Sequence, residues 1–161
     1  MKIIIILTAI FFQVNIALAQ EKKDFDFVIT IDDDFHPIYS PSLYTLDKNG
    51  IKTIYEISYH PGCLSMSIED YKKIMSANEE IHLKFDHYKT LLGGNTHIYN
   101  YDLSVGKFWF KECTFVILKM YNLDKKKYRK KYPPLSEDKN YNYVFESSEF
   151  NTVPIKIKEK K

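Results

Sequence analysis

Apolar and polar positions alternate with period two along most of this chain, and that alternation predicts strands. Phe25, Phe27, Ile29 and Ile31 share one side of a first strand, which three aspartates, Asp32 to Asp34, bring to an end. Beyond the turn-rich stretch Pro37 to Pro41, the segments Tyr44-Thr45-Leu46 and Ile51 to Tyr59 flank Asp47-Lys48-Asn49-Gly50. Aspartate opens such a turn and Asn-Gly supplies its positive φ angles, so a hairpin is expected here. His60-Pro61-Gly62-Cys63 breaks its second strand. The period then changes. Ile68, Tyr71, Ile74 and Met75 recur at helical spacing behind Ser67, with Asp70 three residues on, which predicts an N-capped helix over about 68–77.

Strand period returns at Ile81, Leu83 and Phe85, with His87 on the same side, and Gly93-Gly94-Asn95 makes the next turn. His97, Tyr99 and Tyr101 share one side of the following strand. Cys113 to Asn122 is apolar in both phases, Phe115 and Ile117 against Val116, Leu118 and Met120, which predicts a strand covered on both faces. A basic connector over 124–131 is stopped by Pro133-Pro134. Tyr141, Tyr143 and Phe145 then alternate, and Val153, Ile155 and Ile157 predict a last strand whose Pro154 suits an edge. The expected class is α+β, a mainly antiparallel sheet with one short helix in a single compact domain over 20–161. The order of hairpin, helix and strand from Tyr44 to Lys89, with its Asp47-Lys48-Asn49-Gly50 turn, is similar to that of the C-terminal domain of TonB-like periplasmic proteins.

The first residues change where this domain is expected to work. Met1-Lys2, an apolar block from Ile3 to Phe12 and the small residues Ala17 and Ala19 have the order of a cleavable signal peptide over 1–19, cut between Ala19 and Gln20. Gln13 and Asn15 interrupt the apolar run well short of the ~20 residues that a membrane span needs. No cysteine follows the cut, so no lipid anchor is expected. The protein is therefore expected to be exported, periplasmic or extracellular. Export allows Cys63 and Cys113 to persist as a disulfide, which would stabilise the fold by roughly 4 kcal/mol on chain-entropy grounds.

Charge narrows the partners. The chain holds 23 basic and 21 acidic side chains, and one lysine falls in the leader. A near-neutral, exported domain with a single arginine is a poor reader of nucleic acid. The densest charge feature, Lys125, Lys126, Lys127, Arg129, Lys130 and Lys131, is a candidate contact for an anionic surface, and a basic tail over 156–161 adds to it. Tyr99, Tyr101, Tyr141 and Tyr143 are a candidate aromatic face for a glycan or a partner protein, since tyrosine joins a flat apolar body to a polar tip.

Chemistry is sparse by comparison. Asp32-Asp33-Asp34 would offer oxygens to Ca²⁺, but the spaced acidic loop ending in Glu is absent, so a solvated strand end is expected. The five histidines show no paired metal spacing, and no Gly-x-Ser-x-Gly elbow or phosphate-cradling loop occurs. No metal, cofactor or catalytic set is expected. The reading is an exported, non-enzymatic binding domain. The alternative is a small exported hydrolase whose site assembles only in the fold, with His60, His97 and Asp32 to Asp34 as its candidate groups.

Overall fold

Most of these segments do become strands. In a computed structural model of the protein, which describes residues 21–91 and 93–149, eight strands join in one sheet. They are β1 (Lys22–Ile31), β2 (Tyr39–Leu46), β3 (Lys52–His60), β4 (Gly62–Ser67), β5 (Glu80–Thr90), β6 (Thr96–Val105), β7 (Phe115–Asn122) and β8 (Tyr141–Ser147). The helices are short: α1 (Ile68–Ser76), α2 (Phe108–Lys111) and α3 (Lys126–Arg129). The protein is thus β-rich. The predicted last strand over Val153 to Ile157 and the leader with its cut after Ala19 lie outside the described residues.

The sheet order is β6-β5-β2-β3-β4-β1-β7-β8. Every pairing is antiparallel except β1 with β7, which run parallel with Ile29 opposite Leu118. A parallel pair needs a long crossover, and here the whole stretch from β2 to α2 supplies it. The expected hairpin forms between β2 and β3: Asp47 accepts the amides of Asn49 and Ile51 through Oδ1 at 2.8 and 2.7 Å, and Gly50 takes φ 78°.

Two local readings change in the structure. The break after His60 ends β3 as expected, but the chain turns back into the sheet, because Gly62 adopts φ 96° and lets an additional strand, β4, fold back onto β3. Leu64 and Met66 of β4 point into the core, and β4 then pairs with β1. The order from Tyr44 to Lys89 is therefore hairpin, strand, helix, strand. The second correction concerns β7, which is central but not covered along both faces. Val116, Leu118 and Met120 are buried, whereas Phe115 on the other face stays 43% exposed. Only towards its end is that outer face covered, where α3 and the segment after it lay Tyr128 and Tyr132 over Tyr121.

The expected helix is α1, with the Ser67 hydroxyl accepting the Asp70 amide at 3.0 Å and Ile74 fully buried. The main core collects the inward side chains of the strands, among them Phe27, Leu43, Leu64, Leu83, Phe85, Leu103 and Leu118, each with essentially no exposure. Each such side chain contributes about 1.5–3 kcal/mol over its exposed state. One sheet encloses this core by curling until its edge strands, β6 and β8, face each other. Tyr101 of β6 meets Tyr141 of β8 edge to face at 5.1 Å.

Candidate functional site

The end of the sheet where β1, β5 and β7 finish and β2, β6 and β8 begin carries most of the polar detail. Here the acidic run and the basic connector, far apart in sequence, turn out to be partners. Asp32 and Asp33 adopt left-handed backbone, φ 60° and 72°, which aspartate tolerates because its short side chain bonds locally. Asp32 is not a solvated strand end. Its carboxylate accepts the Asn122 amide at 2.8 Å and the Asn122 side chain at 3.0 Å, and pairs with Lys125 at 2.9 Å. Asp33 accepts the Tyr128 hydroxyl at 2.6 Å and pairs with Lys127 at 3.0 Å. The Tyr128 hydrogen bond, followed by the Lys127 ammonium, holds the Asp33 carboxyl below its usual range. Both oxygens of Asp32 and one of Asp33 are thus occupied by protein donors, and two of the six basic connector residues by the run. Lys126, Arg129, Lys130 and Lys131 make no ion pair among the described residues, although Lys131 acts on Asp33 through space and lies over the Tyr132 ring.

From Asp32 the network continues inward: Asn122 accepts the Tyr101 hydroxyl at 2.7 Å. Tyr101 stacks on Tyr99 and Tyr99 on His87, whose ring meets His36 at a tilt of 47°, an aromatic path along the inside of the sheet. His87 is 5% exposed and lies 3.4 Å from the Pro37 carbonyl, to which its Nδ1–H donates. Burial lowers its pKa, a shift the carbonyl partly opposes. His87, on the side it shares with Ile81, Leu83 and Phe85, is thus a hydrogen-bonded core residue.

Between the edge strands no backbone ladder forms among the described residues, and side chains bridge the seam instead. The Tyr141 hydroxyl donates to the Asp102 carbonyl at 2.6 Å and accepts its amide at 3.0 Å, so one phenol does the work of a neighbouring peptide. Lys139 adds a second donor to that carbonyl at 2.8 Å, and the Tyr143 hydroxyl lies 3.4 Å from the Ser104 carbonyl.

Where these bridges stop, the seam opens into a groove of about 460 Å³, within the range of ligand sites. Tyr101 and Tyr141 form its buried floor; His97, Tyr99 and Asn100 of β6 face Asp124, Asp138 and Asn140 across it. Asp124 accepts a hydrogen bond from Asn140 and one from the Tyr99 hydroxyl, and burial together with that carboxylate pushes the Tyr99 pKa up to about 12. A second cleft, of about 400 Å³, is mainly apolar and is lined by the exposed Phe35 with Tyr59 and Pro61.

The aromatic quartet is therefore turned inward rather than displayed. Tyr101 and Tyr141 are buried and Tyr143 is half-buried, because curling the sheet places the inner faces of β6 and β8 against each other. Tyr99, less buried than Tyr101 and Tyr141 beneath it, stands on the groove wall and is joined to the rim by Asp124. His60 sits at the β3–β4 turn and does not share the groove with His97. Cys63 and Cys113 are free thiols, which corrects the expected bridge. β1 lies between the strand bearing Cys63 and the strand after Cys113, a separation of about 10 Å, beyond the roughly 7 Å a disulfide spans. The groove residues on the loop side, Asp124, Asp138 and Asn140, were not singled out from sequence; the turn-forming Asp-Lys and Asp-Lys-Asn pairs flanking the connector are the signal that marks them as loop ends.

Among the described residues no group of three or more His, Cys, Asp or Glu side chains is placed to hold a metal ion, and no helix is long and apolar enough to cross a membrane. Comparison of the chain with family models, curated proteins and solved structures finds no match.

Proposed function

We propose that this protein is an exported, non-enzymatic domain that captures a partner protein in the groove between β6 and the 124–141 segment. One observation carries the reading: the sheet closes its seam with tyrosine and lysine at Asp102 and Ser104, yet leaves an open, polar-rimmed groove with an aromatic floor immediately beside it. Export rests on the leader pattern of residues 1–19. The hydrolase alternative has one point in its favour, that His97 shares the groove with Asp124 and Asp138. A general base needs a partner that orients it, and His97 makes no ion pair or hydrogen bond to either carboxylate among the described residues, its ring instead meeting Tyr99 edge-on at 4.4 Å.

A photo-crosslinking residue placed at Ile98 on the groove wall, and for comparison at the somewhat more exposed Ile51 at the far hairpin, tests the reading in the exported full chain. A discrete, protease-sensitive adduct from position 98 and none from 51 is expected. Equal labelling from both sites, or none from either, overturns it, as does a glycosidase-sensitive adduct.

A further inference from the structure

The ladder between β5 and β6 fixes which backbone groups of β6 face outward. In an antiparallel pair, alternate residues exchange hydrogen bonds with the partner and the ones between point away. Asp102 directs both its amide and its carbonyl to the Tyr141 hydroxyl, away from β5, and the Ser104 carbonyl likewise faces Tyr143. The register runs unbroken from Ile81 opposite Val105 to Thr90 opposite Thr96. Counting back by twos, Asn100, Ile98 and Thr96 also turn their amides and carbonyls outward, and none of these groups meets a partner among the described residues. That is the unpaired row an added strand needs, and it forms the β6 side of the groove.

The side chains beside this edge specify what would pair with it. On the outer face Ile98 is 50% exposed and sits across the ladder from Tyr88, whose ring packs on Tyr39 at 4.6 Å. All three are exposed large apolar side chains in one patch. Across the groove stand the carboxylates of Asp124 and Asp138, both exposed. Their hydrogen-bond donors, Asn140 and Tyr99 for the first and Ser136 for the second, are neutral, and neither makes an ion pair among the described residues. Lys139 bonds the Asp102 carbonyl and its ammonium also acts on Asp138 through space. With two carboxylates against that one ammonium, the groove rim keeps an excess of negative charge.

We propose that the open half of β6, Thr96 to Asn100, takes an extended polypeptide segment as an added strand, one that alternates apolar residues with lysine or arginine. Its backbone pairs with Thr96, Ile98 and Asn100, its apolar side chains lie over Ile98 and Tyr88, and its cations meet Asp124 and Asp138. The inference rests on the groove being the binding seat and names the chemistry of what sits there.

Isotope-labelled full chain titrated with a designed soluble peptide of alternating Lys and Val, followed by amide shifts and hydrogen exchange, tests it. Saturable shifts are expected at Ile98 and Asn100, with their amides slowed at least tenfold. The same peptide N-methylated at alternate residues and a Glu/Val counterpart should not bind, and Asp138→Asn, at an exposed position where the amide oxygen can still accept from Ser136, should weaken binding severalfold. No binding by the Lys/Val peptide, or equal binding by the N-methylated form, overturns strand addition. A crosslinked partner at Ile98 alongside such a failure would leave the groove as the seat and remove only its proposed occupant. Loss of both removes the two together.

Discussion

β6 is one strand with two kinds of edge. At Asp102 and Ser104 its outward backbone is answered by Tyr141, Lys139 and Tyr143, while from Thr96 to Asn100 the same kind of backbone faces a groove. Edge strands invite pairing with other chains, and proteins normally blunt them. The contrast lies within a single ladder, so strand propensity cannot explain it; what differs is whether a long side chain from β8 reaches across. A phenol that both donates and accepts is a compact substitute for a strand, and the sheet uses the device again where β4 falls short of β1, with the Tyr59 hydroxyl accepting the Ile29 amide at 2.9 Å. The closed half is where the fold completes itself. The open half is where something else can.

The frame that holds the two halves in register should be the most sensitive to change. Asp32→Ala leaves the Asn122 amide and side chain without their acceptor in a buried setting and strands Lys125, and it should cost about 3 kcal/mol in urea unfolding. Asp32→Asn, which keeps the left-handed backbone preference, should cost less. Tyr141→Phe strikes the comparison directly: it removes the phenol at Asp102 and should cost about 1–3 kcal/mol, with the Asp102 amide then exchanging as fast as that of Ile98. Tyr143→Phe, which deletes only a long contact, should cost under about 1 kcal/mol.

Acid should act on the aromatic path behind the groove. The pKa of His87 is lowered from 6.5 in the fold, so the unfolded chain binds the proton more tightly. Stability from this group is then complete above pH 6.5 and declines as pH falls through that value toward the lower folded one. The melting midpoint should drop across that window, and His87→Gln should flatten the drop; an unchanged slope in the variant would assign it elsewhere. The smallest effect is expected at the cysteines. Cys63 and Cys113 should each take up one alkylating group without reductant, and blocking them should leave the exchange pattern of β6 as it was.

How much of this was legible in the sequence follows from the range of each interaction. The Ser67-capped helix and the Asp47 to Gly50 hairpin are decided within a few residues, and both form as read. β4 was obscured because Pro61-Gly62 punctuates equally well whether the chain leaves the sheet or reverses within it. The Asp32 to Asp34 run and the Lys125 to Lys131 connector were both visible, but only their meeting, about ninety residues apart, converts a solvated end and a charged surface into an ion-paired frame. The tyrosines of β6 and β8 look alike in sequence. Which of them close the seam and which line the groove depends on the curl of the sheet, which no local pattern records.

The division of β6 is most directly tested by residue-resolved hydrogen exchange on the protein alone. The account predicts that the Thr96, Ile98 and Asn100 amides exchange at least a hundredfold faster than those of Tyr99 and Tyr101, which bond to β5, and than that of Asp102, held by Tyr141. Protection of Ile98 and Asn100 equal to that of Asp102 would mean the edge is closed throughout, and would contradict it.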